Sequence, residues 1–126
     1  MSDYTKLELE FAINASPKVL FYRLSTPGGL SEWFADDVNL TGTTFSFIWD
    51  GNEQKAELLS KKEGKYIRFR WLEDDDDAYF EFKISQDDLT GDVALIITEC
   101  IDPDEAGDQT ELWQKQVEVL KRNLGS

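Results

Sequence analysis

The chain opens with strict alternation. Leu7, Leu9, Phe11 and Ile13 are separated by Lys6, Glu8, Glu10 and Ala12. A period of two predicts a strand with one buried face over about residues 4–13. Asn14-Ala15-Ser16-Pro17 stops it. Ser16 suits a helix N-cap and Pro17 the first helical position. Val19, Leu20, Phe21 and Leu24 give the short helix that follows an apolar face. Pro27-Gly28-Gly29 breaks it, and Leu30, Trp33 and Phe34 predict a second short helix that ends at Asp36-Asp37.

The middle of the chain reads as strands joined by tight turns. Phe45, Phe47 and Trp49 alternate with Thr44, Ser46 and Ile48, and Asp50-Gly51-Asn52 is a hairpin signal. Residues 53–61 form a more polar return strand carrying Ala56, Leu58 and Leu59. After a turn at Glu63-Gly64-Lys65, Ile67, Phe69 and Trp71 share one face of a strand over 66–71. Phe80, Phe82 and Ile84 mark the next strand. Residues 92–101 are apolar on both faces, at Val93, Leu95 and Ile97 and at Ala94 and Ile96, as in a central or doubly covered strand.

The last segment predicts a helix starting between Asp104 and Thr110, with Asp108 and Glu111 at capping-box spacing. Trp113, Val117, Leu120 and Leu124 form one helical stripe, which Leu112 and Val119 widen beyond what one sheet face would cover. Lys121 and Arg122 suit the negative end of the helix dipole, and Gly125 suits the C-terminal cap. The expected fold class is therefore α+β. One domain over residues 1–126 would hold an antiparallel sheet of about six strands, covered by the only long amphipathic helix.

Composition narrows the function. The 126 residues include 26 acidic and 13 basic side chains, a formal net charge of −13, with no histidine and a single cysteine. That balance argues against nucleic acid, which needs clustered Lys and Arg, and against docking on anionic lipid. Without histidine the chain lacks the usual general base and the commonest metal ligand. One cysteine forms neither an intrachain disulfide nor a CxxC site. No apolar run is long enough to span a bilayer, and the polar start Met1-Ser2-Asp3-Tyr4 lacks a signal-peptide pattern. A cytoplasmic protein is expected.

Candidate chemistry is sparse. Glu73-Asp74-Asp75-Asp76-Asp77 has the wrong spacing for a calcium loop and reads as a solvated hairpin loop. Asp36-Asp37 reads as a cap or turn, because neighbours in an extended segment point opposite ways. Arg68 and Arg70 lie opposite the apolar face of their strand, where Glu81 offers a cross-strand partner. Tyr22 and Arg23 are weaker candidates for polar groups at a cavity mouth. Cys100 has no base to activate it and reads as a small buried hydrophobe. The expectation is no catalytic residue, no metal ligand and no cofactor. The aromatic set remains: Trp33, Phe34, Phe45, Phe47, Trp49, Phe69, Trp71, Phe80, Phe82 and Trp113, with Val117 beside it. These residues either pack a core or line a pocket for an apolar ligand.

Ala15-Ser16-Pro17 with the Val19–Leu24 helix, Leu30-Ser31-Glu32-Trp33-Phe34, the Phe45/Phe47/Trp49 strand, Tyr66–Trp71 and the Trp113 helix resemble the helix-grip fold of the START-like superfamily. That group, also called Bet v 1-like or SRPBCC, includes plant allergens, polyketide cyclases and the domain of heat-shock ATPase activators. The details are most similar to short bacterial START-like proteins of no established activity. The resemblance implies a curved sheet wrapped on the terminal helix, with a cavity between them that holds a lipid, sterol, polyketide or hormone in many relatives. The reading is a non-enzymatic module for a small hydrophobic ligand, a lipid or aromatic metabolite. The alternative is a protein-interaction module, homodimeric or co-chaperone-like. A cyclase-like enzyme ranks third.

Overall fold

The computed structural model describes residues 4–73 and 78–125, so Asp74–Asp77 of the acidic run lie outside the described residues. Seven strands form one curved antiparallel sheet in the order β1-β7-β6-β5-β4-β3-β2. They are β1 (Thr5–Ile13), β2 (Asp37–Thr41), β3 (Thr44–Trp49), β4 (Asn52–Lys62), β5 (Tyr66–Trp71), β6 (Tyr79–Gln86) and β7 (Val93–Ile101). Helices α1 (Pro17–Ser25) and α2 (Pro27–Leu30) carry the chain from one sheet edge to the other. A 3-10 turn at Pro103–Glu105 leads into the long helix α3 (Ala106–Leu124). The order of elements is the α+β arrangement expected from the pattern and the helix-grip fold implied by the resemblance.

The strand count exceeds the expected six or so by β2. Asp37-Val38-Asn39-Leu40-Thr41 offers only two apolar side chains, and of these only Val38 is buried. An edge strand held by backbone pairing to β3 leaves a faint alternation in sequence.

Local chemistry explains most element boundaries. Ser16 caps α1 by accepting the Val19 N–H, with Pro17 in the first turn. Asp50 and Gly51 both adopt positive φ, the geometry of a two-residue hairpin turn whose twist matches its strands. The register of β4 shifts between Leu58 and Ser60, a bulge that leaves Leu59 facing solvent. Gly125 ends α3 in the left-handed region at φ 73°, donating to the Arg122 and Lys121 carbonyls.

Two local expectations are corrected. The Pro27-Gly28-Gly29 segment ends α1 as expected, but the second short helix is not built on Leu30, Trp33 and Phe34. That helix is the Pro27–Leu30 segment, started by Thr26 accepting the Gly29 N–H, while Trp33 and Phe34 sit in the turns that follow. Gly29 fits because a Cβ there would lie 2.2 Å from the Tyr22 carbonyl oxygen. Nor does Asp108 cap the terminal helix. The helix begins two residues earlier, behind a 3-10 turn capped by the Asp102 carboxylate on the Asp104 N–H.

The core fills the concave side of the sheet. Opposed residues share that face: Ile67 with Phe82, Phe69 with Phe80, Phe82 with Ile97 and Ile84 with Leu95. Trp113, Val117 and Leu120 of α3 are buried against them, and Leu124 packs at the margin. Each fully buried residue of this kind contributes about 1.5–3 kcal/mol relative to exposure. Phe34 enters from the loop after α2, its ring 5.0 Å from Phe47 edge-on and 5.5 Å from Trp113 in a stack. Leu112 and Val119 remain exposed at 46% and 38%, the surplus of the helical stripe.

Candidate functional site

A cleft of about 780 Å³ opens between one end of the sheet and the first half of α3. It lies among the end of β7, the start of α3 and the Trp49 and Trp71 ends of β3 and β5. Phe34, Trp49, Trp71 and Trp113 form its aromatic walls, with Ala78, Ile101 and Leu112 beside them. Glu99, Gln109, Gln116 and Gln54 supply polar groups, and Glu73, Cys100, Asp102, Glu105, Lys55 and Tyr4 complete the lining described.

The inward face of β7 places Glu99. Val93, Leu95, Ile97, Glu99 and Ile101 are all buried at a period of two, so the core register carries a carboxylate inside. Glu99 is only 6% exposed. Its Oε1 accepts the Trp113 indole N–H and a Gln109 amide N–H, both at 2.9 Å. Two donors on one oxygen reduce the cost of burying the charge.

The inner face of α3 is organised by the same periodicity. Gln109, Trp113 and Gln116 recur at steps of four and three and point into the cleft. Gln116 donates to the Phe34 carbonyl at 3.0 Å, and the Trp49 indole donates to the same oxygen at 2.6 Å. Phe34 is thereby fixed through its backbone as well as its ring. The walls are preorganised before any ligand arrives.

The aromatic set divides. Phe34, Trp49, Trp71 and Trp113 reach the cleft, whereas Trp33, Phe45, Phe47, Phe69, Phe80, Phe82 and Val117 are buried in the core outside its lining. Trp33 instead donates to the Arg23 carbonyl at 2.8 Å. Arg23 lies away from the cleft, pairing with Glu32 at 2.7 Å and donating to Asn123 at 2.6 Å. Tyr22 is half-exposed on α1, outside the lining.

Arg68 faces outward and pairs with Glu81 at 3.0 Å. Asp36 and Asp37 do not converge. The Asp36 carboxylate accepts the Asp50 N–H across the hairpin, and that of Asp37 accepts the Val38 N–H. Cys100 is half-buried rather than buried: strand parity sets its thiol beside Tyr79 on the other face of the sheet, while the residue also borders the cleft at the end of β7. Burial first, and the adjacent Cys100 thiol second, push the outward Tyr79 phenol above its ordinary pKa. Among the described residues, no group of three or more Cys, Asp or Glu is placed to hold a metal ion, and no helix is long and apolar enough to cross a membrane.

Sequence reasoning missed Glu99, Gln109 and Gln116. Extending the Val93, Leu95, Ile97 alternation by two positions lands on Glu99, so that signal was available. The glutamines carried none, because an apolar stripe is defined by leaving polar residues out.

Compared with known families, residues 1–126 match the domain model of the START-like superfamily. The chain belongs to the START-like superfamily. A solved structure from Bacteroides fragilis, BfR322, is 38% identical, with 98% of this START-like chain and 93% of that one covered at a TM-score of 0.69. The Aha1 dimer from Colwellia psychrerythraea shares the fold at 17% identity, with 93% of each chain covered and a TM-score of 0.77. CalU16 from Micromonospora echinospora does so at 14% identity, covering 96% of this chain and 74% of that one at 0.76. No curated protein matches the chain significantly.

Proposed function

We propose that this START-like protein is a binding module that holds a small, largely apolar molecule in the cleft at the start of α3. The observation that carries this reading is the preorganised aromatic wall of Phe34, Trp49, Trp71 and Trp113 around about 780 Å³. Ligand pockets commonly measure about 300–1,000 Å³ and combine apolar walls with a few placed polar groups. Glu99, Gln109 and Gln116 are such groups here. Three tryptophans in the lining make intrinsic fluorescence the direct assay. Titration with single-chain lipids and aromatic metabolites should quench or shift the emission and raise the melting temperature, and Trp71→Ala should weaken the response. A protein that answers to no member of such a panel, in either readout, overturns the proposal.

The exposed Leu112 and Val119 on α3 support a second reading, a protein-interaction surface. Light scattering at high protein concentration separates the two. A dimer disrupted by Leu112→Glu favours this reading, and a monomer counts against self-association.

A further inference from the structure

The charges around the cleft restrict what it takes. Among the described residues, four carboxylates line it, Glu73, Glu99, Asp102 and Glu105, against the single ammonium of Lys55. Asp104 and Asp108 stand in the same 3-10 turn and first turn of α3, offsetting the positive end of the helix dipole. An anionic ligand such as a fatty acid would approach like charge on most sides, and the net charge of −13 repels it at long range.

The walls complement the charge. Indole faces carry negative potential and attract cations, most strongly where water is excluded. The ring centroids of Trp49 and Trp71 lie 6.2 Å apart, tilted by 57°, at the open end of the aromatic layer. Both rings are partly exposed, and both line the cleft. Glu99 sits deeper, on the other flank, where low dielectric strengthens its field. Aromatic faces beside carboxylates form the arrangement that recognises alkylammonium groups.

Building on the ligand-binding reading above, we infer that the cleft takes an organic cation. Its ammonium group is held between the indole faces of Trp49 and Trp71 and the carboxylates Glu99, Asp102 and Glu105, and its apolar body fills the rest of the aromatic wall.

Three naphthyl probes of similar size test this by calorimetry at neutral pH: naphthylmethylamine, naphthalenemethanol and naphthoate. The ammonium probe should bind about tenfold tighter than the alcohol, with naphthoate weakest. Glu99→Gln should remove most of that preference and leave the alcohol's affinity unchanged. The exposed pair Glu73→Gln and Glu105→Gln carries the same test if Glu99→Gln fails to fold. Asp88→Asn, exposed in the turn before the far end of β7, reports the effect of net charge alone and should leave the preference intact.

Equal binding of the three probes, tighter binding of naphthoate, or a preference that Asp88→Asn reduces as much as the cleft variants do, overturns the cation inference and leaves the ligand-binding reading standing. Binding of none of them, with a neutral or anionic lipid bound in the fluorescence panel, does the same. No binding in either experiment overturns both.

Discussion

The Trp113 indole donates its N–H to the Glu99 carboxylate at 2.9 Å, tying the start of the terminal helix to the end of the last strand. Trp113 is 3% exposed, and the bond lies where the core gives way to the cleft. Trp113→Phe keeps most of the ring volume but removes the donor. Gln109 then remains the partner seen on the same oxygen. A hydrogen bond to a charged group contributes about 1.5–3 kcal/mol, so urea denaturation should show a loss of that order. The double variant Trp113→Phe with Glu99→Gln should lose less than the sum of the two single changes, because Trp113→Phe removes the same bond that Glu99→Gln weakens by taking away its charge.

Phe34 should be the most sensitive aromatic position outside the sheet. Its ring stacks on Trp113 and meets Phe47, Trp49 and Phe82 edge-on. Phe34→Ala should cost about 3–5 kcal/mol in chemical denaturation. It should also blue- or red-shift the tryptophan emission, because the walls of the cleft lose their support. Leu89→Ala is the control, since that side chain is 96% exposed and should change stability by less than about 0.5 kcal/mol.

Two helical glycines should respond with opposite signs. At Gly29 an added Cβ would meet the Tyr22 carbonyl oxygen at 2.2 Å and the Arg23 Cα at 2.7 Å, both backbone atoms that have no easy way to move. Gly29→Ala should destabilise by about 1–3 kcal/mol through overpacking. At Gly107, in the first turn of α3, nothing lies within 4 Å of the added atom. Gly107→Ala should stabilise by about 0.5–1 kcal/mol, since glycine costs that much in a helix. Melting curves of the two variants measure both.

Asp87 should titrate below an ordinary aspartate. Its carboxylate accepts the backbone N–H groups of Thr90 and Leu89 in the turn between β6 and β7, which holds the charged form. A pKa lowered in the folded state gives stability that is present above the unfolded pKa and lost as pH falls through the folded one. Carboxyl chemical shifts followed by NMR through the acid range should place Asp87 below the ordinary aspartate value. Asp87→Asn should flatten the acid limb of the stability profile, and an unshifted Asp87 would contradict the assignment.

The alternating strands were legible because their faces differ chemically. Phe80, Phe82 and Ile84 face the core, while Glu81 and Lys83 face out. The same contrast exposed the Trp113, Val117, Leu120 stripe. Where the contrast is weak, legibility failed. β2 carries one buried apolar residue and pairs at an edge, and α2 is built from Pro, Gly and Gly under a threonine cap. The candidate site was legible only in its aromatic half. Its polar half depends on which helix face meets which strand end, and no local pattern encodes that.

By itself the sequence determined the alternation, the caps, the hairpin turns and the aromatic supply, because backbone periodicity and side-chain type are local properties. It determined the excess of carboxylates as well. Only the tertiary structure decided which aromatic residues became core and which became wall. Opposed strands bury Phe69 and Phe80 completely, whereas Trp49 and Trp71 sit at strand ends where a cleft separates the sheet from the first half of α3. It also decided that Glu99 turns inward to meet Trp113 and Gln109. That outcome follows from strand parity and from the packing of a helix beginning several residues later, neither of which is a property of Glu99 alone.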